Sequence, residues 1–313
     1  MAFAFVFPGQ GSQSVGMFDA MIAARAAHPS VAATLEEASD ILKQDLVALI
    51  ASGPIDELGL TTNTQPVMLA AGVAMWRAWR DAGGGMPAMM AGHSLGEYAA
   101  LVAAGVLTFA DALPLVRFRA EAMQAAVPVG TGGMAAILGL DDDAVRAACV
   151  EAAQGEVVEP VNFNAPSQVV IAGHKAAVER ACEAAKARGA KRAVILAVSA
   201  PFHSSLMRPA ADRLAVRLAD VAIATPTIAV VNNVDVRIEQ DATAIRSALV
   251  RQAASPVRWA ETIRSMADAG VTQIVECGPG KVLAPMCKRI DPRVVGVAIF
   301  DPASLATALE ALQ

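Results

Sequence analysis

The chain has 313 residues, of which 55% are hydrophobic and 18% are charged, and its formal net charge is −5. A mean hydropathy of +0.46 raises the question of a membrane protein. The longest apolar runs, such as residues 98–107, reach only about half of the roughly 20 residues that a membrane-spanning helix needs. The acidic balance gives no reason to expect nucleic acid or an anionic membrane as a partner.

The first residues and the cysteines indicate the compartment. Residues 1–7 are apolar, but no basic residues precede them and they run directly into Pro8 and Gly9, which fits neither a secretory signal nor a transit peptide. A cytoplasmic protein is therefore expected. The widely spaced cysteines form no CxxC pair and have no histidine at a zinc-ligand interval, which predicts reduced core thiols and no metal site. These cysteines are Cys149, Cys182, Cys277 and Cys287.

The first part of the chain alternates apolar strand and helix patterns. The apolar run at residues 3–7 ends at Pro-Gly and predicts a buried strand. A second strand leads into a sharp turn at residues 93–96, and Thr108 is placed to cap a later helix, in which Pro114 predicts a kink. The remaining predicted elements here are helices at 29–42, 64–79, 97–104 and 109–126 and a strand at 89–92.

The pattern changes at residues 128–133 (PVGTGG) and returns near residue 199. Between these points the sequence predicts strands at 134–138, 168–172 and 193–198 and helices at 141–153 and 174–188. Later strands are predicted at 228–232, 273–276 and 294–300, with helices between them. Strands that alternate with helices predict a mostly parallel sheet covered on both faces. We therefore expect an α/β protein with a large unit (1–127 and 200–313) and a small α+β unit (128–199).

Two glycine-rich loops raise the question of a nucleotide site. Gly9, Gly11 and Gly16 follow a strand, but their spacing is GxGxxxxG and no acidic residue ends a second strand at the required offset. At residues 278–281 the phosphate-loop pattern also fails, because Val282 follows Lys281 where serine or threonine is needed. The residue spacing in both loops therefore argues against a nucleotide-binding protein.

The strongest chemical motif is Gly92-His93-Ser94-Leu95-Gly96, which matches GxSxG where a strand passes into a helix. Glycines two before and two after the serine permit the strained turn that presents its hydroxyl at a helix N-terminus. A serine needs a base, and His203 is the preferred candidate because it lies in a loop after a strand where the large unit resumes. The other histidines are weaker candidates: His28 in a polar turn, His93 beside the serine, and His174 at a helix start.

Together these motifs resemble the malonyl-CoA:acyl carrier protein transacylases of fatty acid synthesis. The resemblance covers nearly the whole chain, and its segments are FVFPGQGSQ from Phe5, GHSLGEY from Gly92, Arg119-x-x-x-Met123-Gln124, VNFN from Val161, QVVIAG from Gln168, APFH from Ala200, VNN from Val231, Arg251-Gln252 and ECGPG from Glu276. It implies a hydrolase-like α/β core with an inserted ferredoxin-like subdomain.

The resemblance also implies roles for individual residues. Ser94 would carry the malonyl ester, and His203 would act as general base and then as general acid. The backbone N–H groups of Gln10 and Leu95 would hold the oxyanion, and the main-chain carbonyl of Gln252 would orient the histidine. No cofactor and no metal are implied; malonyl-CoA and acyl carrier protein would be the partners, and the family is typically monomeric.

Selection of malonyl over acetyl needs a fixed cation, and arginine pairs with a carboxylate through two parallel hydrogen bonds. Arg117 and Arg119 lie on the same predicted helix at equal angular distance from its apolar face, so periodicity does not choose between them. The family motif, in which the arginine precedes Met-Gln by four residues, selects Arg119. Phe202 occupies a position where related acyltransferases favour phenylalanine when malonyl is chosen over methylmalonyl.

Two basic clusters are candidates for docking an acidic carrier protein: Lys186, Arg188, Lys191 and Arg192, and Lys281, Lys288, Arg289 and Arg293. Such residues also commonly complement helix ends. Three alternatives to the leading function remain open. They are a discrete malonyl acyltransferase that serves a polyketide synthase or a malonate decarboxylase, a serine thioesterase or hydrolase, and a non-catalytic carrier-binding scaffold.

Overall fold

The computed structural model describes residues 2–198 and 200–312; Met1, Ser199 and Gln313 lie outside the described residues. The first part of the chain forms β1 (Phe3–Phe7), α1 (Asp19–Ala23), α2 (Pro29–Leu42), α3 (Leu46–Ser52), α4 (Ile55–Gly59), α5 (Thr61–Asp81), β2 (Met89–Gly92), α6 (Gly96–Ala103) and α7 (Phe109–Gln124). The middle forms β3 (Gly132–Leu138), α8 (Asp142–Ala153), β4 (Val158–Ala165), β5 (Gln168–His174), α9 (Lys175–Ala187) and β6 (Arg192–Ile195). After a 3-10 turn (Ser205–Met207) come α10 (Arg208–Ala219), β7 (Ala229–Val231), α11 (Ala242–Gln252), α12 (Trp259–Asp268), β8 (Gln273–Cys277), α13 (Ala284–Ile290), β9 (Val295–Ile299) and α14 (Pro302–Ala311).

The larger sheet has the strand order β7-β2-β1-β8-β9, and its neighbouring strands pair in parallel. Successive side chains of a strand point to opposite faces, and β1 uses both. Phe5 packs edge-on against Trp76 and Trp79 of α5 on one face, while Val6 joins the apolar cluster of Trp259 of α12 on the other. The predicted parallel sheet, covered on both faces, is confirmed.

The smaller sheet is antiparallel, with the order β4-β5-β3-β6. The chain runs β-α-β-β-α-β through it, which is the ferredoxin-like arrangement. Helices α8 and α9 close a separate apolar core over one face, in which Val145, Cys149, Val178 and Cys182 are buried. The α/β fold class with an inserted ferredoxin-like sheet is thus confirmed.

Several elements are longer than the sequence pattern indicates or are not predicted by it. Helix α5 begins at Thr61 and ends at Asp81, and β5 continues to His174. Helix α7 contains Pro114 and ends at Gln124, two residues before its predicted end. Strand β4 is not predicted, because Pro160 and two register shifts interrupt its alternation; it lies at a sheet edge, where proline is tolerated. The short helices α1, α3 and α4 and the final helix α14 are also absent from the prediction.

The small sheet is hydrogen-bonded to the rest of the chain at β4. The Phe163 N–H donates to the Val257 carbonyl (3.0 Å) and the Val257 N–H donates to the Val161 carbonyl (2.8 Å), which joins the edge of the small sheet to the loop before α12. The division into units at residues 128 and 199 stays a prediction, and its second boundary falls on a residue outside the described ones. In the described part of the chain, no helix combines the length and apolar character required to cross a membrane.

The parallel sheet determines where functional groups can meet. Strands β1, β2 and β7 are neighbours and run in the same direction, so their carboxyl ends lie at one edge, where open α/β sheets bind ligands. The loop containing Gln10 follows β1, Ser94 follows β2, and Asn233 follows β7.

Candidate active site

Ser94 occupies the turn between β2 and α6 in a left-handed conformation, with φ of 52°. Two neighbouring glycines are required because backbone passes close to them. A Cβ on Gly92 would lie 1.8 Å from the Gly96 carbonyl carbon, and a Cβ on Gly96 would lie 2.1 Å from the Phe7 carbonyl oxygen. A left-handed serine is strained, so the surrounding structure must hold it in place.

Side chains from two other elements bind the main chain of Ser94. The Ser94 N–H donates to Asn233 Oδ1 (2.7 Å), and Gln252 Nε2 donates to the Ser94 carbonyl (3.0 Å). Asn233 Nδ2 also donates to the Gly92 carbonyl (2.7 Å). Both backbone groups of the strained serine are therefore satisfied by side chains, which stabilises its conformation.

His203 lies directly against the serine hydroxyl, with 2.7 Å between Ser94 Oγ and His203 Nε2. Its other ring nitrogen, Nδ1, is 2.9 Å from the Gln252 carbonyl oxygen. A carbonyl only accepts hydrogen bonds, so Nδ1 carries the proton and Nε2 is free to accept from the hydroxyl. His203 is itself left-handed, with φ of 65°.

The protonation of His203 is set by its surroundings. Burial, and after it the positive charge of Arg119, lower the pKa of the imidazole to about 3, although the hydrogen bond to the Gln252 carbonyl opposes this shift. The ring is therefore neutral at physiological pH, which is the state that a general base requires.

Arg119 is 2% exposed and lies on the α7 face that meets the serine. Its Nη2 donates to Ser94 Oγ (3.2 Å) and to Gln252 Oε1 (3.0 Å), and its Nη1 donates to Gln65 Oε1 (2.7 Å). Burial lowers the pKa of the guanidinium, while neighbouring Tyr98 and Glu97 raise it. The guanidinium thus donates to two neutral amide oxygens and to the serine hydroxyl.

Arg117 is oriented differently. It is hydrogen-bonded to the Gln44 side chain and does not line the cavity next to Ser94. The structure therefore distinguishes the two arginines that helical periodicity leaves equivalent.

Ser94, His203 and Arg119 face a cavity of about 120 Å³ that opens to solvent. Met134 of β3, Asn162 of β4 and two residues after β6 line one side, so the cavity lies between the two sheets. Its full lining is Gln10, Gln65, His93, Ser94, Leu95, Arg119, Met123, Met134, Asn162, Leu196, Val198, Phe202 and His203.

Gln10 and Leu95, the expected oxyanion-binding residues, line this same cavity. The loop that carries Gln10 packs backbone to backbone against the serine turn, since a Cβ on Gly9 would lie 2.6 Å from the His93 carbonyl oxygen. The Gln10 side chain is held away from this contact, where its Oε1 accepts from Thr61 Oγ1 (3.1 Å).

The remaining histidines have other partners. His93 Nε2 is 2.8 Å from Asn164 Oδ1, and its ring lies 5.4 Å from that of Trp259. His174 Nδ1 accepts from the Val157 N–H (2.9 Å) in the small sheet, and His28 precedes the first residue of α2. Among the described residues, His203 is the histidine bonded to the Ser94 hydroxyl.

The cysteines take no part in the cavity. All four are buried and free, and burial raises the pKa of each thiol. Within residues 2–198 and 200–312, no group of three or more histidine, cysteine, aspartate or glutamate residues is arranged to hold a metal ion.

Three residues of the site received no role from the sequence: Gln65, Asn233 and Glu97. Glu97 is 2% exposed in the first turn of α6. An acidic residue inside an otherwise apolar helix of a chain with 18% charged residues is the signal that singles it out, because such a residue is rarely buried without a partner.

Comparison with known proteins agrees with this geometry. The acyl transferase domain family matches residues 4–290. The malonyl CoA-acyl carrier protein transacylase of Salmonella typhimurium is 58% identical over 307 residues, 98% of each chain. The acyl-carrier-protein S-malonyltransferase structure from Burkholderia pseudomallei is 65% identical with a TM-score of 0.96, covering 99% of this chain and 100% of that one.

A third relative was solved with a partner. The PlMCAT:AntF structure, a type II PKS acyl-carrier protein in complex with its malonyl-transacylase, is 56% identical, has a TM-score of 0.97 and covers 99% of this chain and 100% of that one. The chain belongs to the acyl transferase domain family, within the malonyl CoA-acyl carrier protein transacylases.

Proposed function

We propose that the chain transfers a malonyl group from malonyl-CoA to the phosphopantetheine thiol of acyl carrier protein, through a malonyl ester on Ser94. The observation that carries the proposal is that one hydroxyl meets both a base and a buried cation: Ser94 Oγ lies 2.7 Å from His203 Nε2 and 3.2 Å from Arg119 Nη2. In a malonyl ester the carboxylate is separated from the reacting carbonyl by one methylene, so a guanidinium beside the hydroxyl can pair with it.

In the first half-reaction, His203 Nε2 accepts the Ser94 proton as Oγ attacks the thioester carbonyl. The oxyanion of the tetrahedral intermediate is held by the N–H groups of Gln10 and Leu95. The carbon–sulfur bond then breaks, and the imidazolium returns its proton to the departing coenzyme A thiolate. The positive charge of Arg119 also stabilises negative charge on Oγ as it develops.

The second half-reaction runs in the opposite sense. The carrier thiol gives its proton to His203 and attacks the malonyl ester, and Ser94 recovers the proton as it leaves. Every step uses groups of the chain and of the two substrates, so the proposed reaction includes no cofactor. The Gln252 carbonyl keeps the His203 ring in place throughout, in the role that a carboxylate has in a serine triad.

Arg119 gives the preference for malonyl, because it exchanges neutral amide partners for a carboxylate when malonyl enters. Phe202 lines the cavity and is 9% exposed, so its ring would restrict a methyl branch on the acyl group. We therefore propose that both residues determine the acyl group accepted.

Of the two basic clusters, the first is favoured as the carrier-docking surface. Lys191 and Arg192 are exposed at the start of β6, whose following residues Leu196 and Val198 line the cavity. Ion pairs do not distinguish the clusters: Lys186 and Arg188 of the first pair with Glu183 and Glu151. In the second, Arg293 pairs with Asp268 and Asp291. The preference therefore rests on the proximity of Lys191 and Arg192 to the cavity. Charge reversal at Lys191 and Arg192 should raise the KM for carrier protein, whereas reversal at Lys288 should leave it unchanged. A KM raised only by reversal at Lys288 would assign docking to the second cluster instead.

The buried free thiols fit a reducing compartment, and we propose a cytoplasmic monomer. A second candidate function, supply of a polyketide synthase, is favoured by the 56% identity to the malonyl-transacylase solved with a type II PKS carrier protein. Both functions use the same chemistry and differ only in the carrier.

The test is a transfer assay with malonyl-CoA and holo forms of a fatty-acid and a polyketide carrier protein, followed by intact-protein mass spectrometry. We expect malonyl on at least one carrier thiol, and the faster carrier identifies the pathway. Release of malonate to water at the same rate with and without carrier would instead make the chain a hydrolase.

A further inference from the structure

One oxygen of Glu97 connects the two residues that hold the nucleophile. Glu97 Oε2 accepts from the Asn233 N–H (2.9 Å) and from Gln252 Nε2 (2.9 Å). Asn233 and Gln252 are the residues whose side chains bind the N–H and the carbonyl of Ser94. The carboxylate is thus linked to both sides of the strained serine without touching the hydroxyl.

Gln252 extends this connection to the other groups of the site. Its main-chain carbonyl accepts from His203 Nδ1 (2.9 Å), and its Oε1 accepts from Arg119 Nη2 (3.0 Å). Because the Nε2 group donates to Glu97, the amide can present only Oε1 to Arg119; an amide rotated by 180° would direct its N–H groups at the cation. Glu97 therefore sets which way this amide faces.

We propose that Glu97 is a positioning residue for acyl transfer: its ionised carboxylate fixes Gln252 and Asn233, and through them the conformation of Ser94 and the orientation of His203. This inference rests on the proposed transfer through Ser94. It assigns Glu97 no contact with the substrate.

The charge environment makes the role dependent on pH. The pKa of Glu97 is raised to about 7. Burial is the main cause and the charge of Asp235 adds to it, while the hydrogen bonds from Gln252 and Asn233 and the charge of Arg119 on α7 oppose the shift. Tyr98 beside it and Glu239, which borders the same small cavity, are the other titratable groups that face it. From helix α11, Gln252 donates to Glu97, and the apolar Ile245 and Ala248 border the same cavity. Below about pH 7, protonation weakens both bonds to Oε2, whereas His203, with a pKa of about 3, stays neutral.

The experiment measures the rate of Ser94 malonylation from malonyl-CoA by rapid quench and intact-protein mass spectrometry, from pH 5.5 to 9. We expect wild-type kcat/KM to fall on the acidic side through a single ionisation near 7. Glu97→Gln, which places a second amide against Gln252, should acylate about 10- to 100-fold more slowly, the cost of misplacing a reacting group by about 1 Å, and should lose the acidic limb.

Glu276→Gln is the matched control. Glu276 is also fully buried, but it accepts from the N–H groups of Val282, Leu283 and Ala284 at the start of α13. Its replacement should lower the melting temperature and leave the acylation rate and its pH profile unchanged. If Glu97→Gln does not fold, Glu97→Asp is the alternative, because its shorter side chain keeps the charge but moves the oxygen away from Gln252 and Asn233. This variant should acylate more slowly than wild type while its rate still falls on the acidic side of the pH profile.

A double-mutant cycle tests whether Glu97 acts through Gln252. In a Gln252→Ala background, Glu97→Gln should cost several-fold less than it does alone, because the amide it orients is absent. Additive losses, an acylation rate of Glu97→Gln equal to that of the control, or a wild-type rate that is flat through pH 7 would overturn the role of Glu97. Failure of wild-type protein to be malonylated at all would instead reject the acyl transfer itself.

Discussion

Replacement of Arg119 is the most informative single change, because the ratio of malonyl to acetyl transfer isolates its contribution to selectivity. In Arg119→Ala the serine and histidine remain, but the malonyl carboxylate enters a buried site without a cation. The contacts of Arg119 set bounds on the binding free energy that malonyl would lose. Leaving one member of a buried charge pair without its partner costs about 3 to 5 kcal/mol.

The expected value lies at or below the lower end of that range. When acetyl binds to the wild-type protein, Arg119 is not left without partners, since Gln65 and Gln252 still accept from it at 2.7 and 3.0 Å. Malonyl therefore gains only the difference between charged and neutral acceptors, which we place at about 2 to 3 kcal/mol. This corresponds to a malonyl preference of about 30- to 150-fold.

The assay compares kcat/KM for Ser94 acylation by malonyl-CoA and acetyl-CoA. Arg119→Ala should lose most of the preference, and Arg119→Lys should recover part of it, because lysine keeps the charge without the planar fork. Arg117→Ala is the control, since Arg117 bonds to Gln44 and does not line the cavity. A ratio that is unchanged in Arg119→Ala, or lost in Arg117→Ala, would refute the assignment.

Three further predictions follow from burial and close packing. In the unfolded state His203 binds a proton near pH 6.5, but in the folded state it does so only at about pH 3. The free energy of unfolding therefore decreases as pH falls through that window. Urea unfolding from pH 7 to 4 should show a smaller decrease for His203→Gln than for wild type. Gly96→Ala places a Cβ 2.1 Å from the Phe7 carbonyl oxygen and should destabilise the protein by about 3 kcal/mol or more in the same assay, whereas Gly59→Ala, with open space around its Cβ, should not. The four thiols are buried with raised pKa values, so treatment of the folded protein with iodoacetamide should leave malonyl transfer intact; rapid loss of activity would show that a cysteine is accessible and needed.

The sequence predicts the parts of the site that local rules determine. The turn around Ser94 is predictable because glycine spacing and a strand-to-helix transition are both local, and the elements on either side are confirmed at residues Met89–Gly92 and Gly96–Ala103. Strand β4 is not predictable from the sequence. Its pairing with β5 includes a proline and two register shifts, which interrupt the alternation of apolar and polar residues.

Contacts between residues that meet only in the tertiary structure cannot be predicted from sequence patterns. The bonds from Glu97 to Asn233 and Gln252 join residues 136 and 155 positions apart, and no spacing rule connects them. The choice of Arg119 over Arg117 depends likewise on packing, since both lie at equivalent angles on α7. The resemblance to a family selects Arg119, and the distance of 3.2 Å to Ser94 Oγ gives the selection a physical reason.

The central claim is that Ser94 carries the acyl group, and covalent labelling tests it most directly. Wild-type protein mixed with radiolabelled malonyl-CoA, without carrier, should retain close to one malonyl group per chain, located by peptide mapping on Ser94. Ser94→Ala should retain none, and added holo carrier protein should remove the label from wild type. Stoichiometric label on Ser94→Ala, or no label on a folded wild-type protein, would contradict the account.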